Sequence, residues 1–168
     1  MGQLGWKIQV MRKTIFILLT LTLSVTIIAQ SSTQGSTYRT ALGVKVWDGG
    51  GITFKHFLEE TNAVEFIGYF WNNGFRFTGL YEIHGAISGA PGLMWYVGPG
   101  AHIGFYDYYH RDHHIDGTYI GVDGVLGLDY KFNGAPINIS LDWQPSFEFG
   151  HFLGFAGDRG GLGIRYTF

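Results

Sequence analysis

The 168-residue chain contains no cysteine. Disulfides are excluded, and so is membrane attachment through a lipidated N-terminal cysteine. Charge is scarce as well. Asp, Glu, Lys and Arg together make up 14% of the chain, against about 25% in an ordinary soluble domain. A soluble domain this poor in charge would struggle to cover its surface; a surface that meets lipid would not. The formal net charge is −2, which leaves no basic footprint and no expected nucleic-acid partner. A phosphate-binding glycine loop, a dinucleotide fingerprint and a zinc-hydrolase motif are all missing.

Long apolar runs are nearly absent too. The one that stands out, residues 15–28, follows the basic pair Arg12 and Lys13. It is shorter than the roughly 20 residues of a membrane-spanning helix. With Ala29-Gln30 as a cleavage junction, it has the layout of a secretory signal peptide. Residues 1–29 are therefore expected to be a signal peptide, with 1–10 an upstream extension before a natural start at Met11. Residues 30–36 are polar and expected to be flexible, and 37–168 form the domain. Cleavage removes Lys7, Arg12 and Lys13, so eight basic residues remain against thirteen acidic ones.

What the chain has in abundance is glycine, 27 residues, and aromatics, 17%. They are set in a pattern of period two. In residues 137–149, Ile137, Ile139, Leu141, Trp143, Pro145, Phe147 and Phe149 share one face, with Asn138, Ser140, Asp142, Gln144, Ser146 and Glu148 on the other. Only a strand alternates in this way. Turn signals divide the domain into eight such segments: 38–47, 52–58, 63–71, 75–86, 93–106, 119–132, 137–149 and 162–168. Loops are expected at 107–118 and 151–161. Pro99 and Pro145 fall inside predicted strands, where a missing N–H calls for a bulge or an earlier end. Eight is an even number of strands and the smallest standard transmembrane barrel.

Alternation does not say which face meets solvent. A lipocalin-like soluble barrel keeps its apolar face inside; a membrane barrel keeps it outside. The polar face here is rich in glycine, with Gly98, Gly100, Gly104, Gly121 and Gly127, as suits a lumen just wide enough for side chains. Its charges are mixed in sign. Lys45, Lys55, Arg76 and Arg165 share it with Glu65, Glu82, Asp123, Asp129, Asp142 and Glu148, a set that can pair inside a narrow lumen and is expensive to bury unpaired. Ile67 and Leu80 also point to the lumen, and His56 to the lipid. On the apolar face, Tyr38, Phe75, Phe105, Tyr130, Phe132, Phe149, Tyr166 and Phe168 cluster near strand ends, as interfacial girdles do.

The fold class is therefore all-β: an eight-stranded antiparallel up-and-down transmembrane barrel, preceded by a signal peptide. The last strand, with Leu162, Ile164, Tyr166 and the terminal Phe168, resembles the C-terminal assembly signal of outer-membrane β-barrel proteins. The domain as a whole resembles the small OmpX and OmpA-type barrels, and its style, including the Ala29-Gln30 junction, is similar to small outer-membrane proteins of Bacteroidetes. The resemblance implies a Gram-negative outer-membrane location, contact with outer-membrane lipid, and recognition by the barrel-assembly machinery during insertion. It implies periplasmic termini, with 48–51, 72–74, 107–118 and 150–161 facing outward.

Chemistry is thinly signalled. His110, His113 and His114 sit with Asp107, Asp112 and Asp116 in one loop, and imidazoles beside carboxylates suit zinc or copper. Their spacing matches no closed site, so they are read as a solvated loop, with no cofactor or metal expected. Barrel enzymes that modify lipid A, of the PagL and PagP types, need an assembled serine, histidine and acid. His84, His102 and His151 with Ser88, Ser140 and Ser146 do not give that arrangement by spacing, and no enzyme activity is expected. A lumen this crowded is not a wide pore. The expected role is structural, or surface interaction through the outer loops. A soluble periplasmic ligand-binding barrel of lipocalin type is the alternative.

Overall fold

The computed structural model describes residues 36–47, 49–72, 74–110, 113–150 and 154–168, with side chains described outside 107–116. The expected signal peptide and upstream extension, and residues 30–35 of the expected flexible segment, lie outside the described residues. The strands are β1 (Thr40–Val46), β2 (Gly50–Phe57), β3 (Asn62–Trp71), β4 (Gly74–Ala86), β5 (Leu93–His110), β6 (His113–Lys131), β7 (Ile137–Trp143), β8 (Ser146–Phe149), β9 (Gly154–Ala156) and β10 (Gly160–Thr167).

All pairings are antiparallel: β1 to β6 each pair with the next in sequence, β8 pairs with β6 and β9, and β10 pairs with β7 and with β1, so the sheet closes on itself. β7 and β8 both pair with β6 and are two stretches of one stave. β9 and β10 together make the next. The result is a closed eight-stave barrel with no free edge.

Tight turns join the staves at the end that carries the termini. Gly134, with φ of 77°, sits in the turn between β6 and β7, in left-handed backbone that a side chain disfavours. At the opposite end the 107–118 segment is a correction to the sequence reading. It is a hairpin, not a loop: β5 and β6 stay paired as far as His110 opposite His113. Backbone pairing needs no apolar alternation once the strands have left the barrel wall, so period two could not announce it. The expected loop at 151–161 likewise contains β9, paired to β8.

The two prolines behave differently from each other: Pro99 stays inside β5, and only at Pro145 does the strand end early as expected. Leu80 pairs with Gly100 and Ile83 with Val97, so two residues face two across the gap at Pro99. The ladder pauses there without a bulge. Pro145 does split its stave, between β7 and β8, yet both pieces keep one register against β6, and the Gly124 N–H donates to the Pro145 carbonyl at 2.8 Å. The bulge lies on the other side. Trp143 pairs with Gly160 but Ser146 with Ala156. Gln144 and Pro145 thus stand opposite three residues, Gly157, Asp158 and Arg159. The extra residue reverses the alternation: Phe155 lies outside at 68% exposure, while the Arg159 guanidinium reaches Glu148 at 2.8 Å.

A row of pairing partners that starts at Ala41 passes Lys55, Glu65, Leu80, Gly100, Asp123 and Ser146 and reaches Ala156. That is eleven residues from Thr167, Ala41's own partner on the last stave. One of the eleven is the bulge residue; the other ten are the stagger that tilts the strands of a closed barrel.

The wall has its polarity reversed relative to a soluble protein. Leu126, Leu141 and Ile164 are about half exposed, at 53%, 53% and 49%, and a continuous set of Leu, Ile, Val and Phe side chains joins them outside. Lys45, Lys55, Glu65 and Glu82 are fully buried inside. Glycine makes room for them. A Cβ at Gly127 would stand 2.5 Å from Tyr96 Cζ and 2.7 Å from Asp142 Cβ.

Candidate functional site

The lumen holds the chain's polar chemistry, in two networks separated by an apolar layer. Nearer the termini, Lys55 from β2 is ringed by carboxylates. Its Nζ lies 2.8 Å from Glu82, 3.3 Å from Asp129 and 3.9 Å from Glu65, and sits 4.3 Å above the Tyr96 ring. Arg165 from β10 pairs with Glu65, and its remaining donors go to Thr53 (3.2 Å), Asn138 (3.1 Å) and Ser140 (2.7 Å). Asn138 donates in turn to Asp129 at 2.5 Å. Lys45 Nζ and the Tyr96 hydroxyl both meet Asp142, each at 2.6 Å. Burial makes each of these charges dependent on its partner, because an unpaired charge in a dry lumen carries a large desolvation penalty.

Ile67, Leu80, Val125 and Tyr96 form an apolar cluster above this network. Strand order fixes its level: Ile67 follows Glu65 on β3, Leu80 precedes Glu82 on β4, and Val125 precedes Asp129 on β6. Beyond it lies the second network. Arg76 pairs with Asp123, which also accepts from Gln144 at 3.2 Å and meets His102 Nδ1 at 2.8 Å. Glu148 Oε1 takes Arg159 at 2.8 Å and stands 4.0 Å from both Arg76 and His102. A cavity of about 680 Å³ opens above this network at the hairpin end, lined among others by Trp47, Tyr69, Trp71, Arg76, Gln144 and Arg159.

All ten charges expected in the lumen are there, and the structure brings the four cations and six carboxylates together in shared ion-pair networks. Ile67 and Leu80 are inside as expected. His56 is half-buried on the outer side, hydrogen-bonded to Thr40 at 2.9 Å and stacked on Phe54. Leu162, Ile164, Tyr166 and Phe168 all lie outside along the last strand, with Arg165 between them facing in. One girdle residue is a correction. Tyr38 is half-buried at the mouth of the lumen, its ring edge-on to Phe57 and its hydroxyl donating to Asp129 at 3.1 Å, because it precedes β1 and is free of that strand's alternation. Arg159 escaped the sequence reading for a different cause: it shares the lumen-facing parity of Gly161, Gly163 and Arg165, but it falls in the segment read as a loop.

The side chains of His110, His113 and His114 lie outside the described residues. So does His151. Of the remaining catalytic candidates, His84 faces Lys55 at 3.5 Å and Ser140 is held by Arg165. Asp123 orients His102, but Ser146 Oγ is buried without a hydrogen-bond partner, so it makes no serine–histidine bond.

No protein-family model matches the chain, and no curated protein matches it. Among solved structures, the N-terminal β-barrel domain of Pseudomonas aeruginosa OprF is similar, with a TM-score of 0.58 and 17% sequence identity over 77% of this chain and 95% of that one. At that identity the likeness is one of fold: a closed eight-stranded antiparallel barrel of the outer-membrane kind.

Proposed function

We propose that the chain is an integral outer-membrane β-barrel protein of the OmpX and OmpA type, with a structural or surface-interaction role at its hairpin end, and that it is neither a wide pore nor an enzyme. The observation that carries this is the inverted polarity of the wall. A lipocalin-like barrel in water would have to expose its charges and bury its leucines; this barrel does the opposite, in the manner of a wall facing hydrocarbon. The signal segment at 1–29 supports export. The final strand, with Leu162, Ile164, Tyr166 and Phe168, supports handling by the barrel-assembly machinery. The apolar layer of Ile67, Leu80 and Val125 between the two charge networks supports a closed lumen. The absence of a serine–histidine bond among the described residues weighs against a lipid A-modifying activity.

Cell fractionation followed by gel electrophoresis of boiled and unboiled samples tests this. Recovery with the outer membrane, and a mobility that changes on heating, are expected. Recovery in the soluble periplasmic fraction with no change on heating overturns the reading in favour of a ligand-binding barrel.

A further inference from the structure

Three large aromatics break the pattern of the wall. Trp47, Tyr69 and Trp71 fall on the lumen-facing parity of their strands: Trp47 continues the series of Ala41 and Lys45, and Tyr69 and Trp71 continue Ala63, Glu65 and Ile67. They are therefore no part of an interfacial girdle, which belongs on the opposite face. Nor are they sealed inside: Trp47 is 60% exposed, Trp71 is half-buried, and Tyr69 is half-buried against the Ile67 cluster. Their seats are shaped for them. A Cβ at Gly74 would stand 2.6 Å from the Trp71 ring and one at Gly51 2.9 Å from the Tyr69 ring. Trp47 is tethered across the bulge, its Nε1 donating to the Asp158 carbonyl at 2.9 Å.

These rings form one side of the cavity at the hairpin end, and Ile67 belongs to its lining as well. Other lining groups are of a different kind: Arg76, Thr78, Gln144 and Arg159 all carry hydrogen-bonding groups. A volume of about 680 Å³ falls within the range of small-molecule sites, about 300–1,000 Å³. The electrostatics narrow the ligand. Arg76 is neutralised by Asp123 and Arg159 by Glu148, so an anion finds no spare positive charge among the described lining residues. Among the described lining residues Asp158 is the one acid, which is too little for a cation held against two arginines. An apolar ring system would leave the polar groups unmatched. The ligand that suits aromatic rings together with planar hydrogen-bonding groups is one with an apolar face and a hydroxylated edge.

We infer that this cavity is a binding site for a neutral saccharide ring, which stacks on Trp47 and Trp71 and hydrogen-bonds through its hydroxyls to Gln144, Thr78 and Arg159. A free sugar and the terminal ring of a glycan share this chemistry. That the cavity meets external solutes rests on the outer-membrane reading; the cavity itself does not.

The test uses the full chain, folded in phosphocholine nanodiscs, because glucoside and maltoside detergents would compete. Saturation-transfer NMR with the methyl glycosides of glucose, galactose, mannose and N-acetylglucosamine should give a saturable signal for at least one of them, absent from empty nanodiscs. Trp47→Ala and, independently, Arg159→Gln should weaken it by about tenfold or more, the loss expected for a central aromatic or charged contact, while Trp47→Phe retains most of it. Both lost contacts are at exposed or half-exposed side chains, so the heat-dependent mobility should survive. Tighter binding of the matching oligosaccharide points to a glycan end, and equal binding to a free sugar. No glycoside signal above empty nanodiscs, unchanged binding in both variants, or stronger binding of benzoate or benzyltrimethylammonium than of every glycoside overturns the inference. A barrel that binds the sugar but fractionates as soluble overturns the membrane reading and leaves the site standing.

Discussion

Arg165 shows what a charge inside this barrel depends on. Every nitrogen of its guanidinium is engaged, with Glu65 on one side and Thr53, Asn138 and Ser140 on the others. Arg165→Met should therefore leave Glu65 as a buried carboxylate stripped of its nearest cation, at a cost of about 3–5 kcal/mol, read as a lower urea midpoint for unfolding from phosphocholine vesicles. Adding Glu65→Gln to that variant should recover part of the loss. Arg159→Gln, at a half-exposed ion pair, should change the same midpoint by less than about 1 kcal/mol. At Gly127, where Tyr96 and Asp142 occupy the place a side chain would take, Gly127→Val should cost about 1–3 kcal/mol through overpacking. Parity alone made the lumen charges legible in the sequence, because each sits inside a regular strand. It failed at Tyr38, where the chain has not yet entered the regular alternation, and it did not extend to Arg159, which lies in a segment read as a loop.

The staves were legible in number and nearly in extent, since seven of the eight carry uninterrupted period two over most of their length. What escaped was structure built by backbone bonds alone: the outward continuation of β5 and β6, and the short β9. The prolines were a warning read half correctly. A missing N–H interrupts bridging, but register is set by the burial of a whole face, and neither proline is enough to move it. The bulge fell instead at Gly157-Asp158-Arg159, where the segment has no apolar alternation to disrupt. Position along a stave should also govern tolerance to charge. Leu126→Arg, in the middle of the apolar wall, should destabilise the protein by about 2–4 kcal/mol, whereas Phe155→Arg, near the rim, should cost about 1 kcal/mol or less. Paired urea titrations of the two variants in the same vesicles check the contrast, and equal losses would argue against a lipid-facing wall.

For the whole molecule, two charge networks with an apolar layer between them describe a plugged cylinder. In planar bilayers the purified protein should show no openings of porin size, because Ile67, Leu80 and Val125 leave ions no hydrated path between the networks. Stable, large conductance steps would mean that the layer parts under voltage. The all-β class, the strand number and the inside-out polarity were all readable from composition and alternation. The aromatic cavity was not, because Trp47, Tyr69 and Trp71 come together only when β1 and β3 are brought round β2 in the closed wall.

The pairing of β1 with β10 carries a consequence for the order of assembly. β5 and β6 form the longest ladder and, like β3 and β4, are joined by two residues, so these pairings close the smallest loops among the described strands. Ala41 and Thr167, by contrast, meet from opposite ends of the domain. Local pairing precedes distant pairing when loop-closure entropy governs the rate. The barrel should therefore grow outward from its middle, and its seam should be the last contact made. Until that moment both terminal strands present open edges, and the edge on β10 is the one that bears Leu162, Ile164, Tyr166 and Phe168.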